Sequence, residues 1–124
     1  MAKILIVEDD KKIGMALAVR LKAEGFQVEI AVDAIMGISC ARRLEPDLII
    51  LDISMPAGDG FTVAERLRGL TQTMFTPFIF LTASKQPGLR ERAMEAGAVD
   101  FFEKPYEPEA LMSAIKNALV ETAA

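Results

Sequence analysis

The chain carries a single cysteine, Cys40, in 124 residues. An internal disulfide is therefore excluded, which fits a reducing, cytoplasmic setting. Histidine is absent altogether. No apolar run approaches the roughly 20 residues that a membrane-crossing helix needs. The N-terminal run Ile4–Val7 is too short for a secretory signal and is cut off by Glu8-Asp9-Asp10. Basic charge is also in deficit: 14 Lys and Arg stand against 18 Asp and Glu, a net charge of −4. That balance argues against direct nucleic-acid binding, which wants a basic surface. Internal repeats, low-complexity tracts and linkers are missing. What remains is a single domain, residues 1–124, of ordinary globular composition with 52% hydrophobic and 26% charged residues.

Leu48 to Gly60 organises the rest. Leu-Ile-Ile-Leu predicts a strand buried on both faces, as in a parallel sheet, and Asp52 follows where that strand ends. A Pro/Gly-rich loop, Ser54 to Gly60, comes next. In open α/β sheets ligands bind just outside the carboxyl ends of the strands, so Asp52 stands where a functional acid belongs.

The other elements read in alternation. Ile4–Val7 is a second buried strand type, β-branched and continuous. Ile13, Leu17 and Leu21, with Ala16 beside them, give a first helix one apolar face, closed at Gly25. Phe26–Ala31 alternates apolar and polar residues, as a half-exposed edge strand does. Asp33 caps a second helix carrying Ile38, Ala41 and Leu44, which Pro46 ends, and Cys40 packs in or near it. A third helix spans 61–70, and 71–76 is a polar loop. Pro77–Leu81 is a fourth strand; Leu89–Ala96 is a short, highly charged helix with few core anchors, expected to be the least firmly held. Val99–Phe102 forms the last strand, and Pro108 opens a last helix carrying Leu111, Ile115 and Leu119. Met15, Met36, Met94 and Met112 read as gap-fillers on helix faces, and Asp59-Gly60 as a cap and turn. Five strands alternating with five helices predict a parallel sheet covered on both faces.

The strand ends gather chemistry. Glu8 and Asp9 follow the first strand, Asp52 the third, Thr82 the fourth and Lys104 the fifth. Carboxylates gathered together repel unless a cation joins them, and a hard divalent ion suits oxygen ligands: magnesium above all, with manganese as the substitute. Lys104 adds a compact positive charge and Thr82 a donor. Metal, lysine and hydroxyl around one acid are what phosphoryl transfer to a carboxylate requires, with Asp52 as nucleophile.

These pieces resemble one family. "ILIVEDD" at 4–10, "LIILDISMPAGDGF" at 48–61, "FLTA" at 80–83 and "FFEKP" at 101–105 look like the receiver domain of bacterial two-component response regulators. The resemblance covers essentially the whole chain. It implies the flavodoxin-like sheet order 2-1-3-4-5. It makes Asp52 the phosphoacceptor; Asp9, Asp52 and the backbone carbonyl of Ser54 the magnesium ligands; and Glu8 a helper through water. Thr82 and Lys104 would contact the phosphoryl group, Phe101 would turn inward when Thr82 moves, and Lys104-Pro105 would be a cis peptide. Lacking histidine, the chain needs a separate sensor histidine kinase or histidine phosphotransfer protein as donor, although small acyl phosphates would also serve. The resemblance implies self-directed chemistry rather than turnover of an external substrate. The output is expected on the surface of the fourth helix, fifth strand and fifth helix, toward a downstream protein or output domain.

Departures from the family pattern narrow this. Val99 stands where an acid is usual and Ala114 where an arginine is usual, so the dimer typical of receivers with winged-helix outputs lacks part of its salt-bridge set. Ser54 and Ser84 hold the positions that tune phosphoryl lifetime. The chain ends shortly after the fifth helix, as a stand-alone receiver or a fragment would. A haloacid-dehalogenase-like phosphohydrolase would want an acid where Ser54 stands, and a flavin binder would want a hydroxyl- and glycine-rich loop where Glu8-Asp9-Asp10 stands. The remaining alternative is a degenerate receiver, a protein-interaction module that works without phosphorylation.

Overall fold

The computed structural model of the chain describes residues 2–55 and 58–123. Pro56 and Ala57, part of the loop expected after Asp52, lie outside them. The elements run β1 (Lys3–Val7), α1 (Lys11–Ala23), β2 (Gln27–Ala31), α2 (Ala34–Leu44), β3 (Leu48–Asp52), α3 (Gly60–Arg68), β4 (Phe78–Thr82), α4 (Leu89–Glu95), β5 (Asp100–Glu103) and α5 (Pro108–Ala123). The strands are parallel, in the order β2-β1-β3-β4-β5.

Side-chain alternation along the strands divides the core in two. Leu5, Val7, Ile49, Leu51, Phe78 and Phe80 meet Ala34 and Ala41 of α2, Val63 and Leu67 of α3, and Leu89 and Ala93 of α4. On the other face Ile4, Ile6, Leu48, Ile50, Ile79 and Leu81 meet Leu17 and Leu21 of α1 and Leu111 and Ile115 of α5. Burying a Leu- or Ile-sized side chain contributes about 1.5–3 kcal/mol, so this double-sided core supplies most of the driving force.

Acidic residues start three of the helices. Asp10 accepts from the N–H groups of Lys12 and Ile13, Asp33 from that of Met36, and Asp59 from that of Thr62. The stop after α1 is real: Gly25 has φ +96°, a left-handed value that glycine takes without strain. Cys40 is buried, as its small apolar character predicts.

Three expectations need correction. The small residue completing the inner face of α1 is Ala18, whereas Ala16 is exposed. Met15, Met36 and Met94 are exposed too, because α1, α2 and α4 fill their inner stripes with Leu17, Gly37, Ala41 and Ala93 instead. The regular part of β5 begins at Asp100, although the Val99 N–H still bonds the Phe78 carbonyl at 2.9 Å. The 71–76 connection is a loop, as expected, and is anchored at Thr73, which is buried and whose hydroxyl donates to the Leu67 carbonyl at 2.6 Å.

Candidate functional site

Parallel register sets the carboxyl ends of the strands at one edge of the sheet: Val7 pairs with Leu51, Asp52 with Leu81, and Thr82 with Glu103. The first residues beyond those ends therefore meet. Glu8 extends the ladder by one bond, its N–H donating to the Ala31 carbonyl at 2.9 Å. By alternation Glu8 follows Ile4 and Ile6, and Asp52 follows Leu48 and Ile50, toward the α1/α5 face. Thr82 follows Phe78 and Phe80 toward the opposite face, the one that holds Phe101. Two acids and a hydroxyl thus come to one rim from opposite sides of the sheet.

Glu8, Asp9 and Asp52 have carboxylate oxygens all within 4.8 Å of one another. Glu8 and Asp52 are buried and Asp9 is exposed, so the cluster opens to solvent on the Asp9 side. Lys104 lies across it: its Nζ donates to a Glu8 oxygen in a short contact and stands 3.4 Å from Asp52 Oδ2. The Lys104 side chain is only 14% exposed. The Lys104–Pro105 peptide is cis, as expected. Asp52 Oδ1 accepts from the Ser54 N–H at 3.2 Å, folding the β3–α3 loop back over the acid. The Thr82 hydroxyl accepts from the Ser84 N–H at 3.0 Å, and Phe101 is buried.

The electrostatics follow from burial. Burial pushes the Glu8 carboxyl above its ordinary value, and its hydrogen bond with Asp52 adds to that; the hydrogen bond from Lys104 opposes it without prevailing. Burial pulls the Lys104 ammonium down, yet the Glu8 hydrogen bond and the charges of Asp52 and Glu8 raise it above its ordinary value. Three carboxylates face one lysine, so the cluster keeps excess negative charge. Oxygen-only donors with uncompensated charge suit a hard divalent cation, and the residues present fit a magnesium ion.

Sequence reasoning gave Glu8 only an indirect role, and the structure makes it the principal partner of Lys104. Two further participants read in the sequence only as a turn glycine, Gly60, and as one charge of a charged helix, Arg90. A Cβ on Gly60 would stand 2.6 Å from the Asp52 carbonyl oxygen, so α3 starts this close to β3 only because that residue is glycine. Arg90 of α4 donates to the Phe101 carbonyl at 3.2 Å and sits 5.4 Å from the centre of its ring. A cleft of about 460 Å³ is lined by Ile53 and Ser54, which follow Asp52, and by Asp59, Ser84 and Phe61, over whose ring the Arg92 guanidinium lies at 3.9 Å.

The sequence profile of the response regulator receiver domain matches residues 4–116. The chain belongs to that family. The receiver is 38% identical over 122 residues to the DNA-binding dual master transcriptional regulator RpaA of Synechocystis sp., a match spanning 98% of this chain and 51% of that protein. It is 41% identical over 117 residues to the transcriptional activator protein IrlR of Burkholderia pseudomallei, spanning 94% and 50%. This receiver therefore spans about half the length of those relatives. Among solved structures it superposes on the chemotaxis protein CheY4 of Vibrio cholerae with a TM-score of 0.87 at 31% identity, covering 95% of this chain and 98% of that one. Among the described residues no helix is long and apolar enough to cross a membrane.

Proposed function

We propose that this receiver accepts a phosphoryl group on Asp52 in a phosphorelay. The observation that supports it is the bridge of Lys104 across Glu8 and Asp52 beside three carboxylates with oxygens within 4.8 Å. An Asp52 oxygen attacks phosphorus; the new O–P bond forms as the donor's P–N or P–O bond breaks, and the donor leaves with that electron pair. Lys104 neutralises the charge that gathers on the phosphoryl oxygens, in a pocket where burial strengthens the interaction. Asp9, Asp52 and the Ser54 carbonyl would hold magnesium, with Glu8 helping through water; when bound, that ion supplies further charge neutralisation at the same oxygens. The 124 residues carry no histidine, so a phosphohistidine donor would lie outside them, on a sensor histidine kinase or histidine phosphotransfer protein. The chemistry is confined to the receiver's own aspartate, without turnover of an external substrate.

The same geometry suggests how occupancy would be read out. The Thr82 oxygen accepts from the Ser84 N–H, and a phosphoryl oxygen on Asp52 would accept from the Thr82 O–H and draw that side chain toward the acid. Thr82 then shifts on the side of the sheet where Phe101 packs, and Phe101 is tied to α4 through Arg90. The α4, β5 and α5 surface is thereby coupled to the acid site, toward a downstream protein or output domain.

Incubation with magnesium and acetyl phosphate, followed by intact-mass measurement, tests the reading. We expect one phosphoryl adduct on the wild type and none on Asp52→Asn. An undiminished adduct in the variant, or none on the wild type with any donor, would overturn it.

A further inference from the structure

The helix α2 has two stripes. Its inner stripe, Ala34, Gly37, Cys40 and Ala41, is buried against the sheet and α3. Its outer stripe is Ile35, Ser39, Arg42 and Arg43, all exposed, together with Ile38, which is half-buried and packs against the core on its inner side; the spacing i, i+3, i+4, i+7 and i+8 lines them up along one side of a helix. Those five residues, with Gln72 as the far wall, line a surface depression of about 440 Å³. Ile35 is 72% exposed, so a large β-branched apolar side chain is offered to solvent at one end of the stripe. At the other end stand two arginines. Neither makes an ion pair among the described residues; the nearest polar contact is Arg43 Nη2 on the Cys40 sulfur, at 3.7 Å. The stripe contains no carboxylate, in a chain whose net charge is −4. The site lies outside both the acid cluster and the α4, β5 and α5 surface.

We propose that this outer stripe docks a helix of an acidic partner protein. That helix would be apolar where it meets Ile35 and Ile38, and would carry Asp or Glu where it meets Arg42 and Arg43. A helical occupant follows from the shape, because a straight ridge at i, i+3/i+4, i+7 spacing is what a second helix packs along. Acidic character follows from charge complementarity. Guanidinium groups pair carboxylates in bidentate fashion, and both here lack an ion-pair partner. A second copy of the chain fits worse: stripe against stripe would bring together four arginines and no acid. A nucleic acid would meet the arginines but would leave the isoleucines in water.

A stapled amphipathic helix, with leucines along one side and glutamates flanking them, serves as the probe in a fluorescence anisotropy titration. A charge-swapped peptide with lysines is the control. We expect the acidic helix to bind the wild type about tenfold or more tighter than the lysine version. Arg42→Glu/Arg43→Glu should reverse that preference, and Ile35→Asp should weaken binding of the acidic helix by about tenfold. All these positions are exposed, and matching thermal melts verify that the variants fold. Three outcomes would overturn the proposal: no preference between the peptides; an unchanged affinity in Arg42→Glu/Arg43→Glu; or tighter binding of a single-stranded oligonucleotide. Concentration-dependent self-association that Ile35→Asp abolishes would likewise overturn it, by assigning the stripe to a second copy.

Discussion

Lys104 and Glu8, 96 positions apart in the chain, form an ion pair at the rim of the sheet with both side chains largely withdrawn from water. Each arrives at the end of a strand, so the pair exists only when β1 and β5 are in place on either side of β3 and β4. It also places the ammonium 3.4 Å from Asp52. The pair thus joins folding to the chemistry proposed for the site.

Removing the lysine should therefore be costly. Lys104→Met leaves three carboxylates without their cation, two of them buried, and should lower stability by on the order of 3 kcal/mol at neutral pH without divalent ions. The sign with pH is fixed by Glu8. Its carboxyl is raised above its ordinary 4.5, so the native state holds that proton more tightly than the unfolded chain does, and stability falls as pH rises through that window. Without Lys104 the window extends upward, and the deficit of Lys104→Met should shrink as pH falls. Urea denaturation at several pH values measures this. A deficit that is constant with pH would reject the account.

A second prediction concerns Gly60. Its absent Cβ is what lets α3 begin 2.6 Å (the distance a Cβ would have) from the Asp52 carbonyl oxygen. Gly60→Ala must push the new Cβ against the Asp52 backbone, and overpacking of that kind costs about 1–3 kcal/mol. Gly69→Ala is the control: a Cβ there meets only the Arg66 carbonyl at 3.5 Å, ordinary contact, and its φ of −85° suits alanine. Chemical denaturation should find the first variant clearly destabilised and the second near or above wild type. Phosphoryl uptake from acetyl phosphate should slow in Gly60→Ala alone, because only that change presses on the backbone of Asp52 at the end of β3.

Much of this architecture was legible because the central strands β1, β3 and β4 are continuous apolar runs ended by an acid or a threonine, while β2 alternates as an edge strand does. Asp10, Asp33 and Asp59 could be recognised as caps because the stretch after each is helical in pattern. What was not legible depends on partners distant in sequence. Glu8 reads as one of three consecutive acids, and nothing local says that it will be the one buried against Lys104. The methionines read as core by residue type, but the inner stripes of α1, α2 and α4 are already filled by smaller or branched neighbours. Gly60 looks like turn chemistry, since the crowding that requires it comes from the backbone of β3. Arg90 looks like one more charge on a solvated helix, because its partner is a carbonyl on the open edge of β5.

Tyr106 offers a spectroscopic test, since it is the sole tyrosine and the chain has no tryptophan. Burial raises its phenol above the ordinary 10.0, while the positive charges of Lys104 and Arg20 pull it back. The native state therefore keeps the proton that the unfolded chain releases near 10.0, and this group's contribution to stability is lost as pH rises above that value. An absorbance titration of the phenolate should give a midpoint above 10.0 in the folded protein. Lys104→Met should move it higher still. A midpoint at or below the ordinary value would show that the ring is more hydrated than its packing implies.

The last prediction concerns α4. It has seven residues, two of them buried, and its cap Gly88 provides no side-chain hydrogen bond. Helices this short do not persist on propensity, so contacts to the sheet must hold it. Arg90 supplies two of these, the hydrogen bond to the Phe101 carbonyl and the approach to the Phe101 ring. β5 is an edge strand, and its outward carbonyls have no neighbouring strand to pair with. Arg90→Ala should cost about 1 kcal/mol. Native-state hydrogen exchange should show α4 opening at lower free energy than α1 or α5 in the wild type. In the variant, protection should fall further in α4 and at the open edge of β5 while β1 and β3 keep theirs. A uniform loss across the sheet would mean that Arg90 acts on global stability and does not fasten α4 to Phe101.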